Sequence, residues 1–128
     1  MCSQDAYECH SKTTGHLAAA KAGGLGMEHT EMPVAFLTIY EHNSNLLTWR
    51  ETGCIIEIVP MDVCGDLDYN FLQTRLEHYK DINCLKVGSF SAGSNVTGTL
   101  VDIDRIAIMC HHNNCLATFD YAAVAPYI

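Results

Sequence analysis

The sequence predicts an α/β domain of three layers, in which a mostly parallel sheet carries helices on both faces. Three observations lead to that class. Short apolar runs recur near 34–39, 54–59, 85–90 and 116–120, and longer segments with helical periodicity separate them. Strands that alternate with helices imply βαβ units with right-handed crossovers. Polar clusters at 41–45 and 91–98, and Asp120, each fall just after or at the end of one of those runs. In an open parallel sheet, that is where ligands bind.

The elements follow in order. Val34 to Tyr40 (VAFLTIY) is β-rich and bounded by Pro33 and by the polar cluster Glu41-His42-Asn43-Ser44-Asn45. Asn45 to Glu51 reads as a helix ended by Gly53, a C-terminal signal. Cys54 to Val59 (CIIEIV) is the second strand, closed by Pro60, with a turn through 62–65. Asp68 suits the N-cap of a helix over 69–80, where Phe71, Leu72, Leu76 and Tyr79 recur on one side. Leu85 to Phe90 is the third strand. Ser91 to Gly98 is too rich in Ser, Gly and Asn for a regular element. Asp102 or Asp104 caps a helix to about His111, with Ile103, Ile106, Ala107 and Cys110 on one face, and Leu116 to Tyr121 is the fourth strand.

The chain reads as one domain over 1–128, of which 33–128 carries the alternating pattern. Residues 1–32 are atypical: they hold little β pattern, and an Ala-rich stretch at 17–22 is a short helix at most, ended by Gly23-Gly24. With 48% hydrophobic and 17% charged residues, there is enough apolar material for a packed core.

Charge and cysteine usage narrow the function. Fifteen Asp and Glu against seven Lys and Arg give a net charge of -8, and the cations are scattered. Nucleic-acid binding needs clustered positive charge, so it is not expected. No stretch reaches the roughly 20 apolar residues that span a bilayer, and none of the first thirty residues builds a secretory h-region. A reducing, cytoplasmic setting is therefore expected, with the seven cysteines as thiols. Cys54, Cys84 and Cys115 open apolar runs and are expected to pack with the strands.

Four motifs carry candidate chemistry: Thr13-Thr14-Gly15; Glu41-His42-Asn43-Ser44-Asn45 with Trp49; Ser94-Asn95-Val96-Thr97-Gly98; and Asp120-Tyr121-Ala122-Ala123. Taken alone, His42 and Asn95 are more often helix-cap or turn residues than functional ones. Asp120 stands out, since a carboxylate ending an apolar strand needs a partner.

In order and spacing, these motifs resemble the class V aminotransferase family, which includes cysteine desulfurases and selenocysteine lyases. The resemblance runs from about Thr13 to Ile128 and is strongest from Tyr40 onward. It implies part of the large domain of a transferase dependent on pyridoxal 5'-phosphate, with an amino acid as substrate and a homodimeric assembly. It also implies a role for each matched residue. His42 would stack on the cofactor ring, Asn95 would hydrogen-bond the ring's phenolic oxygen, and Asp120 would keep the pyridine nitrogen protonated. Thr13 and Thr14 would meet the phosphate at a helix N-terminus.

The departures are informative. His10-Ser11-Lys12 precede the phosphate turn where the family is usually glycine-rich, and Ala123 stands where some branches carry a glutamine. The family's cofactor lysine, in a Ser-x-His-Lys or Pro-His-Lys context, falls well past Asp120, and none of Lys12, Lys21, Lys80 and Lys86 matches it. The expectation is a fragment that is inactive alone, with no catalytic residue of its own and weak cofactor binding or none. The alternative is a non-catalytic α/β domain, either a truncated product or a module that binds the cofactor or a partner chain. Cys110, His111, His112 and Cys115 could ligate a metal, but they straddle a helix end and the next strand and should diverge, so no metal site is expected.

Overall fold

The computed structural model describes residues 32–127. Four parallel strands, β1 (Val34–Thr38), β2 (Ile55–Val59), β3 (Lys86–Ser91) and β4 (Leu116–Asp120), form one sheet in the order β2-β1-β3-β4. They alternate with helices α1 (Asn43–Glu51), α2 (Tyr69–Tyr79) and α3 (Ile103–His112). The fold is α/β, as the alternation predicts, and each predicted strand lies within a residue or two of its observed span.

The register sorts side chains between the two faces. Phe36 pairs with Gly88 and with Glu57, and Phe90 pairs with Phe119. Val34, Phe36, Val59 and Phe90 share one face with Leu72 and Leu76 of α2 and Ile106 and Cys110 of α3, and this is the core. Phe36, Phe90, Leu72, Leu76 and Ile106 are fully buried, each worth about 1.5–3 kcal/mol. Gly88 has a packing reason to be glycine. A Cβ there would stand 2.7 Å from Cζ of Phe90 and closer still to Cε2, so the Phe90 ring lies over the bare backbone.

The alternate residues Ala35, Leu37, Ser89, Ser91 and Asp120 face the other side. There Asn45 of α1 reaches Ser89, whose hydroxyl donates to Asn45 Oδ1 at 3.1 Å. Helix α1 buries no residue fully and is tied to the sheet by polar contacts, whereas α2 and α3 are held by apolar burial. From β1 the chain moves outward to β2, then returns past β1 to β3. The first crossover, through α1, therefore takes one face and the next two, through α2 and α3, take the other, so the topological switch point lies between β1 and β3. A crevice opens there beyond the strand carboxyl ends.

The caps follow the sequence. Asp68 accepts from the Phe71 N–H at 2.9 Å, and Asp102, the nearer of the two candidates, accepts from the Arg105 N–H at 3.0 Å. Gly53 ends α1 with φ 74. At three places the structure adds to or departs from the sequence reading. Helix α1 starts at Asn43, two residues early, because the His42 ring accepts the Ser44 N–H at Nδ1 and serves as N-cap. The 91–98 segment includes a small ladder, with the Ser94 N–H bonded to Thr99 O at 2.8 Å and the Val101 N–H to Ala92 O at 3.1 Å. Cys84 and Cys115 are buried as expected, but Cys54 is only half-buried. It precedes β2 at the sheet edge, where its thiol sits by Trp49 O at the end of α1.

Candidate functional site

Three connections leave the carboxyl ends of β1, β3 and β4 and enclose a cavity of about 270 Å³. The connection after β1 supplies Tyr40, His42 and Ser44. Ser91, Gly93 and Asn95 come from β3 and the loop after it, and Asp120, Ala122 and Ala123 from β4 and its following turn. The structure thus brings His42, Asn95 and Asp120 together, although 53 and 25 residues separate them in sequence. Thr13 and Thr14 lie outside the described residues.

Each side chain has a local reason for its place. His42 holds its ring by accepting at Nδ1 from the Ser44 N–H (3.2 Å), with Ser44 Oγ 2.8 Å away, so Nε2 carries the proton in the neutral ring. The bland reading of His42 as a cap is therefore correct, and the cap is what sets the ring at the cavity. Asn95 sits in a turn fixed by Ser94, whose hydroxyl oxygen accepts from the N–H groups of Val96 (3.2 Å) and Thr97 (3.1 Å), and the turn closes at Gly98 with φ 73. Asp120 ends β4 opposite Ser91. One of its oxygens accepts the Ala122 N–H at 2.8 Å, and its backbone carbonyl accepts from the Ala92 N–H at 2.9 Å. Gly93 keeps the floor close: a Cβ there would meet Val124 at 2.6 Å.

Glu41 organises the rear of the site. Its carboxylate accepts from the Thr38 N–H (3.1 Å), Thr38 Oγ1 (2.6 Å), Asn45 Nδ2 (2.7 Å), the Ser91 N–H (2.8 Å) and Ser91 Oγ (2.8 Å). One side chain thus joins the end of β1, the first turn of α1 and the end of β3. Tyr40 is anchored by donating its hydroxyl to Gly65 O at 2.9 Å, and burial, then Asp66 and Asp62, push its phenol above the usual value. A second, more open cavity of about 360 Å³ adjoins the first under α1, and Ser44 and Asp120 line both.

Sequence reasoning passed over Tyr40, Ser91 and Gly93 as site residues and gave Glu41 no role. The usable signal was position, since Tyr40 and Ser91 lie at or just past strand ends that already carry candidates. The described lysines are elsewhere: Lys86 opens β3 at the opposite end of the sheet and donates Nζ to Ile82 O at 2.7 Å, and Lys80 lies beside it at the end of α2. Among the described residues, no group of three or more His, Cys, Asp or Glu side chains could hold a metal. None of their helices is long and apolar enough to cross a membrane.

The chemistry of the lining fits one planar, nitrogen-containing ring. The volume is just under the ~300–1,000 Å³ usual for small-molecule sites. A carboxylate, a flat imidazole and a carboxamide approach the space from three different strands.

Solved enzymes share this fold. Mouse CSAD in apo form matches with a TM-score of 0.62 at 19% identity, over 72% of this chain and 20% of that one. The cysteine desulfurase CsdA from Escherichia coli matches at 0.60 and 21%, over 71% and 23% of the two chains. A sphingosine-1-phosphate lyase from Burkholderia pseudomallei matches at 0.61 and 17%, over 73% and 20%. The chain thus spans between 20% and 23% of the length of these structures. In sequence, residues 11–128 match the Aminotransferase class-V family model, a range that includes Thr13, Thr14, His42, Asn95 and Asp120. The chain belongs to the class V aminotransferase family.

Proposed function

We propose that residues 1–128 form part of the large domain of a class V enzyme and that the cavity receives the ring of pyridoxal 5'-phosphate, the cofactor of that family. The observation that carries the reading is that His42, Asn95 and Asp120, from three separate strand ends, line one cavity at the switch point. When bound, the cofactor supplies an electron sink for a carbanion on an amino-acid substrate. Asp120 would hold a proton on the ring nitrogen, since a carboxylate beside a pyridine favours its charged form. The His42 imidazole would cover one ring face, and Asn95 would donate to the phenolic oxygen. Thr13 and Thr14 would bind the phosphate. In reaction class, the ordered motifs favour release of sulfur or selenium from an amino acid, with plain amino transfer second.

None of the four lysines matches the family's cofactor lysine, and the two described ones lie at the far end of the sheet. The 128-residue chain alone is therefore proposed to bind the cofactor noncovalently and to lack turnover, because immobilising it must be offset by noncovalent contacts only. Titration of the purified chain with pyridoxal 5'-phosphate tests this. The expected result is weak, dialysable binding that Asp120→Ala diminishes, with sulfide release from cysteine no faster than with free cofactor. Binding indifferent to both Asp120→Ala and His42→Ala would remove the cofactor site. Sulfide release well above the free-cofactor rate, abolished by Asp120→Ala, would overturn the claim of inactivity.

A further inference from the structure

Ser91 and Asp120 are register partners on adjacent strands, and both line the cavity. Ser91 has one hydroxyl proton, and it is donated to Glu41 Oε2 at 2.8 Å. With that proton committed, the Ser91 oxygen can offer the cavity only lone pairs. The wall beside Asp120 is therefore a pair of acceptors, one charged and one neutral, suited to a single N–H donor. The other Glu41 oxygen takes the Ser91 and Thr38 N–H groups, which holds the end of β3 against the end of β1. Asn45 donates to the same carboxylate and accepts from Ser89, so the first turn of α1, which His42 caps, keeps its orientation too.

We propose that Glu41 is the positioning residue of the ring-nitrogen wall: it fixes the Ser91 hydroxyl as an acceptor beside Asp120 and aligns the His42-capped turn with the end of β3. This rests on the reading of the cavity as a cofactor-ring site. Glu41 does not line the cavity and acts only through Ser91, Asn45 and the strand ends. Glutamine is nearly isosteric but has a single acceptor oxygen, so its NH2 group either faces the Thr38 and Ser91 N–H donors, leaving one unmatched, or faces the Ser91 hydroxyl, which then accepts and turns its own proton away from residue 41. A buried donor left unmatched forces Ser91 or the β1 end to turn.

The test uses the full 128-residue chain and pyridoxal 5'-phosphate as probe, with three readouts: thermal midpoint, cofactor affinity, and the induced circular dichroism of the bound cofactor. Glu41→Gln is expected to weaken binding about tenfold, the lower end of what loss of an outer partner costs at metal sites. It should also reduce the induced signal at saturation, because the ring is no longer held in one orientation. Glu41→Asp should recover part of both. Ser91→Ala removes only the hydroxyl and should weaken binding with little change in thermal midpoint, which keeps the proposal testable even if Glu41→Gln fails to fold. Asp120→Asn is the control for the site itself. If Asp120→Asn weakens binding while folded Glu41→Gln and Ser91→Ala both keep wild-type affinity and dichroism, Glu41 is merely structural and the proposal is refuted. If Asp120→Asn changes nothing, the cofactor reading fails, and this proposal with it.

Discussion

Replacing Gly88 with alanine would put a methyl group where the Phe90 ring lies, 2.7 Å from Cζ and nearer to Cε2. The ring cannot easily give way. Phe90 is fully buried, its centroid is 6.0 Å from that of Phe119, and both flanking strands are fixed by β3 pairing. Overpacking of this kind costs about 1–3 kcal/mol. Removing a glycine from a strand interior returns roughly 0.5–1 kcal/mol. The net expected loss is about 1–2 kcal/mol, which at a urea slope of about 1–3 kcal/mol/M lowers the unfolding midpoint by roughly 0.3–2 M. Urea unfolding followed by far-ultraviolet circular dichroism measures it. In a Phe90→Leu background the added methyl should cost little, giving a coupling of about 0.5–3 kcal/mol of the sign expected for relieved crowding. A Gly88→Ala midpoint equal to or above wild type would refute the packing argument. The result bears on the site, since β3 carries Ser91 into the cavity three residues later.

Further outcomes are expected. Asp102→Ala should cost about 1 kcal/mol by removing the α3 cap, read as a lower urea midpoint, with Asp104→Ala close to neutral. Burial and the hydrogen bond to Glu57 raise the Tyr79 phenol above its ordinary value near 10. The stability it contributes is thus complete below about pH 10 and lost as pH rises through the folded value, and Tyr79→Phe should flatten that fall in unfolding free energy. Among the described cysteines, alkylation of the native chain followed by mass spectrometry should mark Cys64 first, while buried Cys84, Cys110 and Cys115 stay protected; early labelling of Cys110 would contradict the α3 packing. Backbone amides of α1 should exchange faster than those of α2 and α3, since α1 buries no residue fully.

The sheet was legible because its signals are local. Pro33, Gly53, Pro60, Asp68 and Asp102 punctuate the chain where strands and helices change over, and the apolar runs between them have the length of strands rather than of helices. The start of α1 is not fixed by the sequence: a cap or turn reading is open to His42, but histidine is outside the usual cap set, and only the folded ring shows that Nδ1 takes the Ser44 N–H. Likewise, Glu41 in a polar cluster reads as a solvated charge. Two of its five donors come from Ser91, fifty residues away, and no periodicity encodes that meeting. His42, Asn95 and Asp120 could be singled out because each follows or ends an apolar strand, but their approach to one another depends on strand order. A sheet ordered 1-2-3-4 would have the same local sequence signals and would place β2 between β1 and β3, separating His42 from the Ser91–Asn95 loop.

The order β2-β1-β3-β4 has a consequence for how the chain behaves in solution. Among the described residues, β2 and β4 are the outer strands, so each leaves one row of peptide groups without a neighbouring strand. Neither strand carries a lysine or a proline within its span. On β2, Ile55 and Ile58 are exposed at 38% and 36%, and on β4 Leu116 is exposed at 60%. Unprotected apolar borders of this kind template strand addition from another chain. The described residues thus present two borders open to strand addition, and a charged residue at Leu116 should make the β4 border a poorer template, read as a higher concentration tolerated before precipitation.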